Sequence, residues 1–97
     1  MNEAALVRRI IIALEKKVGG FWVKIHGGPF QRAGIPDIIG CCEGRFFGFE
    51  VKLPKKENNL TKLQQHILTL INQAGGCAIM VTTPDEALRA VSEKLKK

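Results

Sequence analysis

Residues 34–52 read GIPDIIGCCEGRFFGFEVK, and the predicted fold is organised around them. Two apolar segments, over 35–42 and 45–53, flank Glu43 and Gly44, which have the composition of a turn. Pro36 suits the start of its segment, because a missing N–H is tolerated at the first residues of a strand. The stretch therefore predicts a β-hairpin at the centre of the chain.

On either side of this hairpin, apolar residues recur at helical spacing over 3–18 and 61–74 and after Thr83, while 21–26 and 77–82 have strand composition. The residues predicted to face inward on the helices are Val7, Ile10, Ile11, Leu14 and Val18, then Leu63, Ile67, Leu70, Ile71 and Ala74, then Ala87, Leu88, Val91 and Leu95. The predicted order is αβββαβα. It indicates one α/β domain over 1–97, with a mixed central sheet flanked by helices.

The charge, the apolar runs and the cysteines indicate which partners and compartments the protein is expected to have. The 97 residues carry a net charge of +6, which favours a polyanionic partner such as nucleic acid. No apolar run reaches the ~20 residues that span a bilayer, and the N-terminus has no signal-peptide pattern. We therefore expect a cytoplasmic or nuclear protein with no membrane partner. The three cysteines form no C-x-x-C pair, so neither a zinc site nor a disulfide framework is indicated.

The informative charges lie on the apolar hairpin. Asp37 begins the first predicted strand, and Glu50 and Lys52 lie on the second, where side-chain alternation places both on one face. If the strands pair, Asp37 comes close to Glu50. Two carboxylates about 4 Å apart repel by a few kcal/mol at an effective dielectric near 20. A divalent cation removes this penalty, and magnesium and manganese prefer such oxygen ligands.

A purely structural interpretation competes with this one. Asp37 after Pro36 also suits a turn, and Glu50 with Lys52 also suits an exposed ion pair of little energetic value. Only the combination of all three charged residues favours a site for phosphodiester hydrolysis. In that interpretation Lys52 stabilises the charge that develops in the transition state or positions the attacking water.

At these residues the sequence resembles the PD-(D/E)xK nuclease superfamily, through Gly34-Ile35-Pro36-Asp37 followed by Glu50-Val51-Lys52. Thr61-x-x-Gln64 and the strand after Gly75-Gly76 are similar to the virus-type replication-repair nuclease (VRR-NUC) family. The short, stand-alone phage members are the most similar, and the resemblance extends from Glu3 to about Val91.

The resemblance implies a restriction-endonuclease-like core and a magnesium or manganese cofactor. It implies that Asp37, Glu50 and the carbonyl of Val51 bind the metal and that Lys52 is the catalytic lysine. Gln64 would face the site, although it also suits a capping box with Thr61. Glu3 would reach the metal directly or through water, although an acid at a helix start is also favoured by the dipole.

Further residues around this motif are candidates for DNA binding. Those predicted to contact DNA are Lys24, His26, Gln31, Arg32, Lys55, Lys56 and Lys62. Lysine and arginine contacts to phosphates would position DNA without reading its sequence. His26 is also a candidate general base, and the loop over 27–34 is glycine-rich. Solvated surface remains the alternative for each of these residues.

We therefore predict a metal-dependent DNA endonuclease, acting on branched DNA such as Holliday junctions or flaps, in a phage or its prokaryotic host. Because two symmetric cuts require two sites, we expect a homodimer. No organic cofactor is expected. The alternatives are a non-cleaving nucleic-acid-binding module of the same fold and a subunit of a larger assembly.

Overall fold

The central hairpin forms as the sequence predicts, and the other elements assemble around it. The computed structural model describes residues 1–96. The elements are helix α1 (Glu3–Lys17), strands β1 (Phe21–Lys24), β2 (Ile38–Cys42) and β3 (Arg45–Val51), helix α2 (Lys62–Gln73), strand β4 (Cys77–Val81) and helix α3 (Pro84–Leu95), with a short 3-10 turn at Glu57–Asn59 before α2. The predicted element order and the α/β class are both confirmed.

The four strands form one mixed sheet in the order β1-β2-β3-β4. β1 and β3 are both antiparallel to β2, and β4 is parallel to β3, to which it is connected through α2. The core lies between the sheet and the pair α1 and α3, where Phe47, Phe49 and Val51 of β3 are fully buried. Val7, Ile10 and Leu14 of α1 are buried against them, as predicted. Among residues 1–96, no helix has the length and apolar character needed to cross a membrane.

Helix α2 lies alone on the other face of the sheet and contacts only part of it. It packs on β3 and β4, so the β1 and β2 side of this face has no covering helix. This corrects the prediction for α2, because Leu63 and Leu70 remain 47% and 37% exposed and Ala74 is also exposed. Helical periodicity identifies an apolar stripe but does not show how much of it the sheet will cover.

The strands are shorter than the sequence predicts. β1 ends two residues early, at Lys24, and β3 ends at Val51, so Lys52 follows the strand instead of lying on it. β2 begins only at Ile38, because Pro36 has no N–H to donate and the side chain of Asp37 takes a backbone partner on β3. Asp37 therefore directly precedes β2.

Candidate active site

One edge of the sheet collects most of the predicted site residues. β1, β3 and β4 end at this edge and β2 begins there, as the strand directions require. All three helices also begin at this edge, since each runs antiparallel to the strand beside it along the chain. We call it the site edge. Helix N-termini carry partial positive charge, so this edge favours carboxylates and anionic ligands.

Two glycines allow the segment over 34–37 to lie between β3 and α2. A Cβ at Gly48 would lie 3.1 Å from the ring of Pro36, which packs over it. Gly34 has a φ of +85°, and a Cβ there would lie 2.9 Å from the side chain of Leu63. Only glycine accepts that backbone conformation without strain. The close packing holds Asp37 against β3.

Asp37 connects its own segment to the end of β1 and to β3 through two hydrogen bonds. Its carbonyl accepts a hydrogen bond of 2.8 Å from the N–H of Ile25, just beyond β1. Its Oδ2 atom accepts another, also 2.8 Å, from the N–H of Val51 on β3. Ile38 pairs with Phe49, so extending this register by one residue places Asp37 opposite Glu50. The carboxyl group of Asp37 is therefore fixed beside that of Glu50.

Glu50 is a buried carboxyl group with another carboxyl as its neighbour. The residue is only 3% exposed. Burial raises the pKa of Glu50 to about 8, and hydrogen bonding and charge from Asp37 add to the rise, while the Lys52 ammonium acts in the opposite direction. A buried acid is costly in a folded protein unless its charge is compensated, and the Lys52 ammonium does not offset the rise in the pKa of Glu50. This arrangement suits a protonated acid or a carboxylate neutralised by a bound cation.

Lys52 lies on the same face as Glu50, as the alternation predicts. Its Nζ is 3.8 Å from Glu50 Oε2, and the two side chains are only 13% and 4% exposed. The alternative of an exposed surface ion pair is therefore wrong. The ammonium group instead lies in a largely buried site, where its charge acts over short distances with little screening.

Gln64 makes both of the contacts that the sequence offers as alternatives, because it caps α2 and also faces Glu50. Its backbone N–H donates to Thr61 Oγ1 and its Oε1 accepts from the N–H of Thr61, which completes the capping box. The opposite end of the same amide, Nε2, donates a 3.2 Å hydrogen bond to Glu50 Oε2. The two ends of the amide serve different partners, so capping helix α2 also orients the buried acid.

The carbonyl group of Val51 is available for a ligand. In the parallel ladder Lys52 donates to Val81, so the backbone groups of Val51 point toward β2 instead. Extending the β2 and β3 register places Pro36 opposite Val51, and proline has no N–H to donate. The carbonyl oxygen therefore faces a position where the sheet supplies no donor.

Glu3 lies at the edge of this group. It is exposed on the first turn of α1, and its charge contributes slightly to the raised pKa of Glu50. Within residues 1–96 there is no group of three or more His, Cys, Asp or Glu side chains arranged to hold a metal ion. The structure thus brings together Asp37 and Glu50 but does not add Glu3 as a third close ligand.

The predicted DNA contacts are all exposed, on segments that meet the site edge. Lys24 ends β1 and His26 follows it, and Gln31 and Arg32 belong to the loop before Asp37. Lys55 and Lys56 lie between β3 and α2, and Lys62 is the first residue of α2. A cavity of about 250 Å³ opens between the loop and Asp37, with Gln31 and Arg32 on its wall. Phe30, which is fully exposed on the same loop, is not among the residues predicted from the sequence to contact DNA.

No protein-family model and no curated protein matches the chain. The case for a function therefore depends on the residues and contacts described above.

Proposed function

We propose that this protein is a divalent-metal-dependent DNA endonuclease of the VRR-NUC type. The observation that carries the proposal is the buried carboxyl group of Glu50, with the partly buried carboxyl group of Asp37 and the Lys52 ammonium beside it. A structural role does not account for this pair, because a second carboxyl group beside the buried Glu50 destabilises the metal-free fold. A function in which both carboxyl groups bind a metal ion does account for their proximity.

The available ligands suit magnesium or manganese. Magnesium is usually bound in proteins by one or two carboxylates and keeps several waters, so it does not need a complete protein cage. Asp37 and Glu50 supply two carboxylates, and the Val51 carbonyl is a third oxygen of the required kind. Glu3 would act at most through water, given its exposed position. We propose no organic cofactor.

The site residues have distinct roles in phosphodiester hydrolysis. A bound divalent ion would supply Lewis-acid chemistry and a nucleophilic water near neutral pH. Lys52 would place its positive charge next to the phosphate and stabilise the additional charge of the transition state. Gln64 would hold Glu50 in position through the hydrogen bond to Oε2. Asp37 is held beside Glu50 by the N–H of Val51.

The surroundings of the site suit a polyanionic substrate. Exposed basic side chains lie on both sides of the acids along the site edge, on the loop before Asp37 and on the segment after Lys52. Contacts of this kind would bind DNA through its phosphates. We propose DNA with a branch, such as a flap or a four-way junction, as the substrate.

A cleavage assay on a panel of duplex, flap, splayed-arm and four-way-junction DNA tests this function. We expect cleavage with magnesium or manganese and none with a chelator. Calcium should support DNA binding without cleavage, because it is larger and less strict in its coordination geometry. Binding without cleavage under every metal condition would favour the non-cleaving module. Cleavage only after a partner protein is added would favour a subunit of a larger assembly.

We also propose a homodimer that uses the uncovered face of the sheet. Phe21 and Phe46, neighbours of Cys41 on β2, are 67% and 42% exposed, and an apolar groove of about 330 Å³ lies between Phe46 and Leu70 of α2. A second copy of the chain would bury this apolar surface and provide the second active site for symmetric cutting.

Light scattering should therefore give about twice the monomer mass. The variant Leu70→Glu should be monomeric, because it places a charge in the proposed interface. Ile12→Glu is the matched control, since Ile12 is 54% exposed on α1 at the opposite face of the sheet and should leave the mass unchanged. A monomeric wild-type protein would contradict the proposed dimer.

A further inference from the structure

Phe30 is the most exposed large apolar residue among those described, at 100% of its possible surface. Two other phenylalanines, Phe47 and Phe49, are completely buried in the core. A fully exposed aromatic ring contributes no burial energy to folding. The ring can contribute apolar contact energy only when a binding partner covers it.

The backbone holds Phe30 at a defined position. The N–H of Gln31 donates a 3.1 Å hydrogen bond to the carbonyl of Gly28, which closes a four-residue turn. Pro29 and Phe30 occupy the two central positions of this turn. Proline at the first central position has its φ already set for a turn, so the ring of Phe30 is presented at the tip at low entropic cost.

The turn lies beside the proposed active site. Gly28 and Gln31, which close the turn, line the cavity of about 250 Å³ that also contains Asp37. Lys24, His26 and Arg32 are exposed around it, and the segment over 21–36 contains no acidic residue. An aromatic ring in basic surroundings suits a polyanion that also offers flat apolar faces.

A nucleic acid with an unpaired base has both properties. Bases stack on exposed aromatic side chains while lysine and arginine bind the phosphates. A continuous duplex hides the faces of its bases within the helical stack and presents only their edges in the grooves. Branch points and single-stranded arms leave base faces accessible. An aromatic residue at the tip of a turn can therefore distinguish branched DNA from duplex.

We propose that Phe30 stacks on an unpaired base next to the scissile phosphate and thereby selects branched or splayed DNA over continuous duplex. This inference rests on the proposed nuclease function, and it assigns to Phe30 the selection of the DNA that the nuclease cleaves. Pro29 and the bond between Gln31 and Gly28 position the ring, and Arg32 and Lys24 bind the adjacent phosphates.

Binding of splayed-arm DNA tests the proposal, with a duplex of equal length and composition as the reference. The splayed arms carry 2-aminopurine at the unpaired positions nearest the junction, and binding is measured with calcium in place of magnesium. We expect Phe30→Ala to weaken splayed-arm binding by about tenfold, the size of one lost base stack, with little change on duplex. Quenching of the 2-aminopurine fluorescence at one position should also be lost.

Two substitutions at the same position and one elsewhere make the test specific. Phe30→Trp should retain the quenching and the preference for splayed arms, whereas Phe30→Leu should lose both, because leucine is apolar but cannot stack. Ile12→Ala is the matched control, since this exposed apolar residue lies on α1, outside the proposed dimer interface, and should not affect either DNA. Equal weakening on both DNAs, or no weakening, would overturn the proposal. A change in oligomeric mass for Phe30→Ala would also overturn it, because the ring would then contact protein.

Cleavage with magnesium in parallel separates this proposal from the nuclease function. If the wild-type protein cleaves splayed arms and Phe30→Ala cleaves them with unchanged preference over duplex, the stacking role is wrong and the nuclease function stands. If no DNA is cleaved but the selective loss of binding occurs, the stacking role stands and the nuclease function fails.

Discussion

Replacing Glu50 with glutamine is expected to abolish DNA cleavage while the protein remains folded and still binds DNA. Glutamine has nearly the same shape and removes only the negative charge that would hold the metal. Metal catalysis contributes several kcal/mol to such reactions, and about 1.4 kcal/mol corresponds to a factor of ten in rate. We therefore expect a loss of about a thousandfold or more in the cleavage rate.

The matched control for this variant is Glu93→Gln. Glu93 is an exposed acid near the end of α3, at the opposite end of the molecule from the site edge, so the net charge changes equally while the site does not. The rate of cleavage of a splayed-arm substrate, the binding of the same DNA with calcium, and the circular dichroism spectrum should be measured for both variants. Normal cleavage by Glu50→Gln would contradict the assignment of Glu50.

The second large effect is a loss of stability as the pH rises in the absence of metal. The pKa of Glu50 is about 8 in the folded protein, against an ordinary value of 4.5, chiefly because the group is buried. Between these two values the folded protein holds a proton that the unfolded chain has released. The free energy of unfolding therefore falls as the pH rises through this window, by up to a few kcal/mol, and levels off above pH 8.

Urea denaturation of the metal-free protein between pH 5 and pH 9 measures this dependence. The glutamine variant at position 50 cannot titrate, so its stability should be higher than that of the wild type at pH 8 and should show a smaller decline with pH. Magnesium should stabilise the wild-type protein most at high pH, because a ligand that binds only the folded, ionised pair shifts the equilibrium by mass action. Identical pH profiles for the two proteins would show that Glu50 is not the titrating group.

The positions of Asp37 and Glu50 could be predicted, because strand alternation and a short turn allow few registers between the two strands. A hairpin with a turn at Glu43 and Gly44 fixes the register, and the register places Asp37 opposite Glu50 and leaves Lys52 on the face of Glu50. The order of helices and strands could also be predicted, because apolar residues recur at a different spacing in helices and in strands.

The contacts of the site could not be predicted, because they depend on atoms that come together only in the fold. The sequence offers Gln64 two roles as alternatives, yet its amide fills both with different atoms. The capture of the Val51 N–H by Asp37, and the shorter β2 that results, depend on how closely Pro36 packs over Gly48.

The exposed position of Phe30 in the loop over 27–34 was not predicted from the sequence. Its glycines suggest only flexibility, whereas the turn over residues 28–31 places Phe30 at an exposed tip. A signal was present in the sequence. Proline followed by an aromatic residue, between glycines and with no apolar neighbours in the pattern, indicates a ring that the core cannot bury.

The proposed function requires that Asp37 and Glu50 together bind one divalent ion. Titration of the wild-type chain with manganese, followed by electron paramagnetic resonance of the free ion, tests it most directly. We expect one site per chain at pH 8, with affinity that falls as the pH is lowered and with no such site in Glu50→Gln or Asp37→Asn. Absence of manganese binding to the wild-type protein at pH 8, or equal binding by all three proteins, would contradict the account.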